Sequence, residues 1–174
     1  MLIKVKDLRK SYGSTEVLCG VNLELEESRE LAIVGSSGSG KSTLLYILGA
    51  LERPDSGELF VGNNDINKQT DAELAKFRNE SIGFVFQFHF LLPSMNCLNN
   101  ILLPARIGGH PLKEIKKRIV QFAKTLNVEH CLKKYPFEIS GGEQQRINII
   151  RAISLKPKLL LCDEPTGNLD SKNT

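Results

Sequence analysis

The sequence predicts an α/β protein, and three observations predict it. Strand-like and helix-like patterns follow one another in the order strand, helix, strand, which is how parallel strands joined by crossover helices read. A glycine- and serine-rich octapeptide, GSSGSGKS, stands where an apolar run gives way to a helical pattern. Near the C-terminus the apolar run LLLC leads directly into two adjacent carboxylates, Asp163 and Glu164, the pattern of a buried strand delivering acidic groups at its end.

Taken in order, Leu2 to Val5 alternates apolar and charged residues, and Val17 to Leu25 alternates again after a glycine-containing turn, so both are expected as half-buried strands. Glu30 to Val34 is expected as a third strand running into the Gly-Ser loop. A helix is expected from Lys41 to about Leu51, closed by the turn RPDSGE, followed by a short strand, ELFVG. Thr70-x-x-Glu73 is a capping pattern for a helix that leads to the strand SIGFVFQ. From about Phe88 to Ile139 the strand signals fade. A helix opens there at Pro111, with Ile115, Ile119, Phe122 and Leu126 on one face and lysines opposite. A last helix, EQQRINIIRAISL, leads through Pro157 to the strand KLLLCD.

Composition narrows the class. The 174 residues are 41% hydrophobic and 25% charged, which is ordinary for one well-cored globular domain and unlike a disordered or collagen-like chain. A net charge of +3, with 23 basic residues spread along the chain, gives no basic patch, so no nucleic-acid partner is expected. Cys19, Cys97, Cys131 and Cys162 show no CxxC pair or metal-like spacing and are read as reduced, with Cys162 buried in its strand. The N-terminus, MLIKVKDLRK, has no continuous apolar core, and no run approaches the ~18 apolar residues of a spanning helix. A cytosolic chain that reaches a membrane only through a partner is therefore expected.

GSSGSGKS, Gly35 to Ser42, fits the phosphate-loop pattern G-x-x-x-x-G-K-[ST] in the required context between apolar run and helix. Small residues let successive backbone N–H groups face phosphates, and the helix start adds partial positive charge. Lys41 suits the β- and γ-phosphates, and the Ser42 hydroxyl suits Mg²⁺. The dinucleotide pattern G-x-G-x-x-G fails, because Thr43 occupies its third glycine position. A phosphate loop alone leaves kinases, GTPases and ATPases open. NKQTD at Asn67 to Asp71 comes near a guanine-specifying NKxD, but its Asp is one residue late and the segment lies too early, so it is read as a polar loop.

Two further pieces decide the family: Gln87 after the strand IGFVF, and ISGGEQQR at Ile139 to Arg146, followed by the apolar run into DEP. With these the sequence resembles the ATP-binding-cassette ATPases over its whole length. The resemblance matches Lys10-Ser11-Tyr12-Gly13 to the adenine-contact loop, Gly35 to Ser42 to Walker A, and Gln87 to the Q-loop. It matches Ser140-Gly141-Gly142 to the family signature, Leu159 to Asp163 to Walker B, Glu164 to the catalytic carboxylate, and Asn168-Leu169-Asp170 to the D-loop. It departs at Arg29, where a turn glycine is usual, at Ile150, usually small, and at Glu143, where Gln is common.

What the resemblance implies is a P-loop NTPase with a RecA-like core, an N-terminal antiparallel β-subdomain and a helical signature subdomain. Residues 1–87 would form the β-subdomain and first part of the core, 88–139 the helical subdomain, and 140–174 the signature helix, Walker B and D-loop. It implies ATP and Mg²⁺ as cofactors. Tyr12 would stack on adenine, while Gly35, Ser36, Ser37, Gly38, Ser39, Gly40, Lys41, Ser42 and Thr43 would hold the phosphates. Ser140, Gly141 and Gly142 would contact the γ-phosphate held by a second cassette in a head-to-tail dimer. Ser42, Gln87 and Asp163 would hold the metal, and Glu164, with Gln87 and Lys41, would serve catalysis.

QFHFLLP, LLPARIGG and DEPTGNLDS together look most like the lipoprotein-releasing branch, near the macrolide-exporter and cell-division cassettes. That branch implies integral membrane permease subunits received near Phe88 to Leu103, and a peripheral place on the cytoplasmic face of the inner membrane. Only 52 residues separate Gln87 from Ser140, too few for the long coiled coil of a repair ATPase. His89 in this stretch has no nearby ligand partners in sequence and is read as a contact or packing residue. Such cassettes normally continue past the point where this sequence ends and supply a switch histidine, whereas His89, His110 and His130 all precede Walker B. A truncated chain that binds ATP weakly, turns over poorly and is marginally stable is the corresponding expectation. A nucleotide-binding interaction protein without turnover is the competing one.

Overall fold

The computed structural model describes residues Met1 to Pro165. The chain divides into two units, Met1–Ala75 and Lys76–Thr174.

In the first unit, β1 (Ile3–Tyr12) and β2 (Thr15–Leu25) form an antiparallel hairpin turned at Gly13, whose φ of 60° suits the two-residue connection. With β3 (Ser56–Val61) and β4 (Asn64–Asp65) they make a four-stranded antiparallel sheet in the order β2-β1-β3-β4. Alternation places Ile3, Val5, Leu59 and Val61 in the core, and a bulge between Val5 and Leu8 shifts the phase so that Leu8 joins them. At Gly57 (φ 98°) a Cβ would run into the carbonyl of Asp7, so glycine is required where β3 crosses the bulge in β1. Helix α1 (Lys41–Leu48) buries Leu44, Ile47 and Leu48. It ends before the expected Leu51, because Ala50 turns left-handed (φ 53°) and the Leu51 N–H donates back to the Tyr46 carbonyl.

The strand expected at Glu30 to Val34 does not form. The four-stranded sheet ends at β2 and β4, and this segment pairs with neither. Apolar residues extend as a strand only where a neighbour takes up their backbone groups, and here Leu31 is half exposed and Val34 is 87% exposed. In the preceding turn the left-handed position belongs to Ser28 (φ 58°), so Arg29 is spared a conformation that would favour glycine.

Helix α2 (Asp71–Ser81) starts at the expected capping pattern: the Glu73 carboxylate accepts from the Thr70 N–H at 2.8 Å and from its hydroxyl at 2.7 Å. The residues of NKQTD are occupied structurally. Asn67 Nδ2 donates to the Gly57 carbonyl, Lys68 pairs with Asp65, and Asp71 with Arg53.

In the second unit, β5 (Ile82–Val85) and β6 (Leu159–Cys162) pair in parallel, as the strand, helix, strand order predicts. Between them come α3 (Cys97–Ile107), α4 (Leu112–Thr125) and α5 (Gly141–Ile153). Their shared core includes Cys97, Ile101, Leu102, Ile115, Ile119, Ala123, Cys131, Ile147 and Ile150, with Phe122 and Leu126 partly buried beside it. Ile150 is fully buried there, so its bulk is used in packing. Gly83 lets α5 approach β5: a Cβ there would stand 2.5 Å from the Ala152 carbonyl. All four cysteines are free, but Cys162 is exposed rather than buried. Strand β6 alternates, burying Leu159 and Leu161 and leaving Leu160 and Cys162 on its other face. Among the described residues no helix is long and apolar enough to cross a membrane.

Candidate nucleotide-binding site

The first unit carries the phosphate loop. Gly38 (φ 78°) and Gly40 (φ 88°) take left-handed backbone, and Gly40 is the residue from which α1 starts. A side chain at Gly40 would stand 3.0 Å from Val17 and Leu18 of β2, so the loop is pressed against the sheet. Lys41 folds its amine back into the loop, donating to the carbonyls of Gly35 at 3.0 Å and Ser36 at 2.8 Å. No acidic residue sits in the first turn of α1, leaving the positive end of its dipole uncompensated. Ser42 and Thr43 occupy that first turn. A turned backbone, an ammonium group inside it and an uncompensated helix start form a phosphate-shaped cradle, and the residues present fit a polyphosphate.

Tyr12, at the end of β1, is brought beside this loop. Its hydroxyl donates to Glu52 at 2.6 Å and also bonds the Thr43 side chain, while the Lys10 ammonium lies 5.5 Å from its ring centre. The bond to Glu52 and burial push the Tyr12 phenol pKa up, with the Thr43 contact working against them. Tyr12 as a whole is 48% exposed.

The second unit gathers the remaining groups around its parallel strand pair. Val85 lies opposite Cys162, and the Asp163 N–H donates to the Val85 carbonyl at 2.9 Å. Gln87 and the pair Asp163, Glu164 therefore leave the carboxyl ends of neighbouring parallel strands, where open α/β sheets place their ligands. Glu164 adopts φ 44°, a left-handed conformation that costs a non-glycine residue about 1–2 kcal/mol and concentrates at functional sites.

Ser140 is the N-cap of α5. Its hydroxyl and N–H donate to Glu143 Oε2 at 2.9 and 2.8 Å, and the Glu143 N–H returns a bond to Ser140 Oγ. The Glu143 pKa is held at about 2, below its usual 4.5, by the Ser140 N–H first, then by His130 and the Ser140 hydroxyl. Gly141 and Gly142 are the first helical residues, whose N–H groups have no intrahelical acceptor, and a Cβ on Gly141 would meet nothing within 4 Å. The space beside Gly141 is therefore open.

One set of polar side chains on α5 escaped the sequence reading. Gln145, Asn148 and Arg151 recur at three-residue spacing on α5, and the first two are fully or nearly fully buried. Gln145 Nε2 donates to the Pro165 carbonyl beside Glu164, Asn148 Nδ2 to the Phe86 carbonyl, and Arg151 to the carbonyls of His89 and Phe90. Helix α5 thus grips the chain after both strand ends, at Phe86 to Phe90 beyond β5 and at Pro165 beyond β6. Polar residues at every third position, with Ile147 and Ile150 between them, were the available signal.

The segment after Gln87 is mostly aromatic and outward-facing. Phe88 and Phe90 are 65% and 63% exposed, and Phe84, Phe86, Phe90 and Phe88 form a chain of ring contacts. Buried Asn100 shapes the turn that follows, donating to the carbonyls of Leu92 and Met95 and accepting from the Leu92 N–H. His89 Nε2 is buried without a hydrogen-bond partner among the described residues, and burial lowers its pKa. The D-loop residues Asn168, Leu169 and Asp170 lie outside the described residues.

Residues 18–167 match the ABC transporter family. The chain belongs to that family. This ABC cassette is 50% identical to the lipoprotein-releasing system ATP-binding protein LolD of Geobacter metallireducens, over 99% of this chain and 79% of that protein. It is 43% identical to LolD of Aquifex aeolicus, over 99% of this chain and 77% of that protein. Among solved structures, the dimeric bacterial ABC transporter cassette MJ0796 matches with a TM-score of 0.90 at 40% identity, covering 98% of this chain and 77% of that one. MJ0796 in a post-hydrolysis state bound to ADP and Pi matches at 0.89 and 38% identity. The chain has the P-loop NTPase fold and is an ABC ATPase.

Proposed function

We propose that this chain is the ATP-hydrolysing motor subunit of a transporter that releases lipoproteins from the bacterial inner membrane, working as a head-to-tail dimer of cassettes beneath integral membrane permease subunits. The observation that carries the motor reading is the phosphate loop, in which glycine-turned backbone surrounds the Lys41 amine at the start of α1. The lipoprotein cargo rests on the LolD relatives. The domain reading is that residues 1–87, 88–139 and 140–174 form the β-subdomain with first core segment, the helical subdomain, and the signature-to-D-loop segment.

In this reading the Lys41 amine leaves the Gly35 and Ser36 carbonyls for the β- and γ-phosphates, and the Gly35–Thr43 amides and hydroxyls hold the remaining oxygens. Tyr12 stacks on adenine. The Ser42 hydroxyl, the Gln87 amide oxygen and the Asp163 carboxylate are hard oxygen donors that suit Mg²⁺. That ion supplies charge neutralisation at the phosphates. Glu164 accepts a proton from the attacking water as general base. Ser140 and the Gly141 and Gly142 amides meet the γ-phosphate bound by the other cassette. The exposed aromatics at Phe88 and Phe90, with the segment to Leu103, receive the permease.

Purification of the chain with its membrane subunits, reconstituted in vesicles loaded with an acylated lipoprotein, tests this directly. ATP-dependent release of the lipoprotein is the expected result; turnover without release would remove the cargo assignment. Ser140→Arg places bulk and charge at the facing site, so ATP-driven dimerisation on a sizing column should be lost. An unaltered dimer would refute the role given to the signature.

A further inference from the structure

A second cluster of ligand atoms lies at the base of the signature helix. His130 Nε2, Cys131 Sγ and Glu143 Oε1 come together from two parts of the chain, the short 3-10 turn Glu129–Cys131 and the first turn of α5. The three separations are 2.8 Å for His130 to Glu143, 3.3 Å for Cys131 to His130, and 3.4 Å for Cys131 to Glu143. One imidazole nitrogen, one sulfur and one carboxylate oxygen are the donor types that zinc takes.

The spacing can be compared with what such an ion requires. With metal–sulfur and metal–nitrogen or –oxygen bonds of about 2.3 and 2.0 Å, a tetrahedral site has sulfur-to-nitrogen and sulfur-to-oxygen edges of about 3.5 Å and a nitrogen-to-oxygen edge of about 3.3 Å. Both sulfur edges already agree within about 0.2 Å, so only the His130–Glu143 hydrogen bond must open, by about half an ångström. Cys131 is fully buried and therefore fixed, whereas the His130 side chain is 57% exposed, giving an entry path and room for a water as fourth ligand. Glu143 binds the cluster through Oε1 while Oε2 holds Ser140, so its carboxylate is oriented from behind as metal ligands commonly are.

We propose that His130, Cys131 and Glu143 form a binding site for a zinc-class divalent cation, built onto the N-cap of the signature helix. Binding replaces the Cys131 S–H bond with a metal–thiolate bond, and the thiol proton passes to water. Neutral His130 binds through Nε2 and carries its proton on Nδ1. The site is separate from the proposed Mg²⁺ donors, which are all oxygen atoms.

Co²⁺ titration of the whole chain in the presence of Mg²⁺, followed by absorbance, is the test. One Co²⁺ per chain with a thiolate-to-cobalt charge-transfer band, displaced by Zn²⁺, is expected. Cys131→Ser should remove the band. His130→Ala, which alters an exposed side chain and leaves the core alone, should weaken Co²⁺ binding at least tenfold. Absence of the band in the unaltered chain, or undiminished affinity in His130→Ala, would overturn the proposal.

Discussion

The phosphate loop and the signature helix are both helix N-termini, yet they are built by opposite means. At α1 the start is a left-handed glycine with no side-chain cap and no acidic residue in the first turn. At α5 it is a serine locked in a reciprocal cap with Glu143. The first carries no side-chain cap. The second satisfies two donors internally and leaves the Gly141 and Gly142 amides. An uncapped start suits a group that must enclose a polyphosphate; a capped one suits a rigid platform offering a few amides to a partner's nucleotide.

The largest effect that could break this comparison is catalytic. Glu164→Gln should slow ATP hydrolysis by about 10²–10⁴, the usual worth of a positioned base, while the fold is retained. Steady-state phosphate release measures it, and a loss under tenfold would take the base role away from Glu164.

Next in size is the support of the second unit. Asn100→Ala removes the partner of the Leu92 N–H and of the Met95 carbonyl, while the Leu92 carbonyl keeps the Met95 N–H, and this should cost about 1–3 kcal/mol of stability in thermal unfolding. The loss should appear without any change in the glycine-turned loop of the first unit.

The smallest effect sharpens the capped start itself. Because the folded-state pKa of Glu143 is depressed from 4.5 to about 2, its contribution is fully present above the unfolded value and is lost as pH falls through that window. Glu143→Gln should therefore be less stable than the parent above about pH 5, lack part of the pH dependence between 4.5 and 2, and approach the parent's stability near pH 2. Identical acid profiles would mean that the carboxylate is not held as described.

The same contrast explains what the sequence disclosed. The phosphate loop was readable because left-handed backbone and close approach to β2 demand glycine at fixed positions, so local physics writes itself into residue identity. The capping pattern at Thr70 was local in the same sense. Gln145, Asn148 and Arg151 were not, since their acceptors at Pro165, Phe86, His89 and Phe90 are chosen by tertiary packing. Helix α3 was missed as an element because Pro104 and two asparagines interrupt its pattern, although Asn96 caps it. The strand expected at Glu30 to Val34 failed for a related reason: apolar residues specify a strand only together with a neighbour.

The central claim is that the chain grips ATP through Lys41 and spends it through Glu164. Equilibrium binding of ATP to Lys41→Ala and Glu164→Gln, measured side by side with the unaltered chain, tests it most directly. The account predicts that Lys41→Ala loses most of its affinity while Glu164→Gln binds as the parent does; equal losses in the two variants would contradict it.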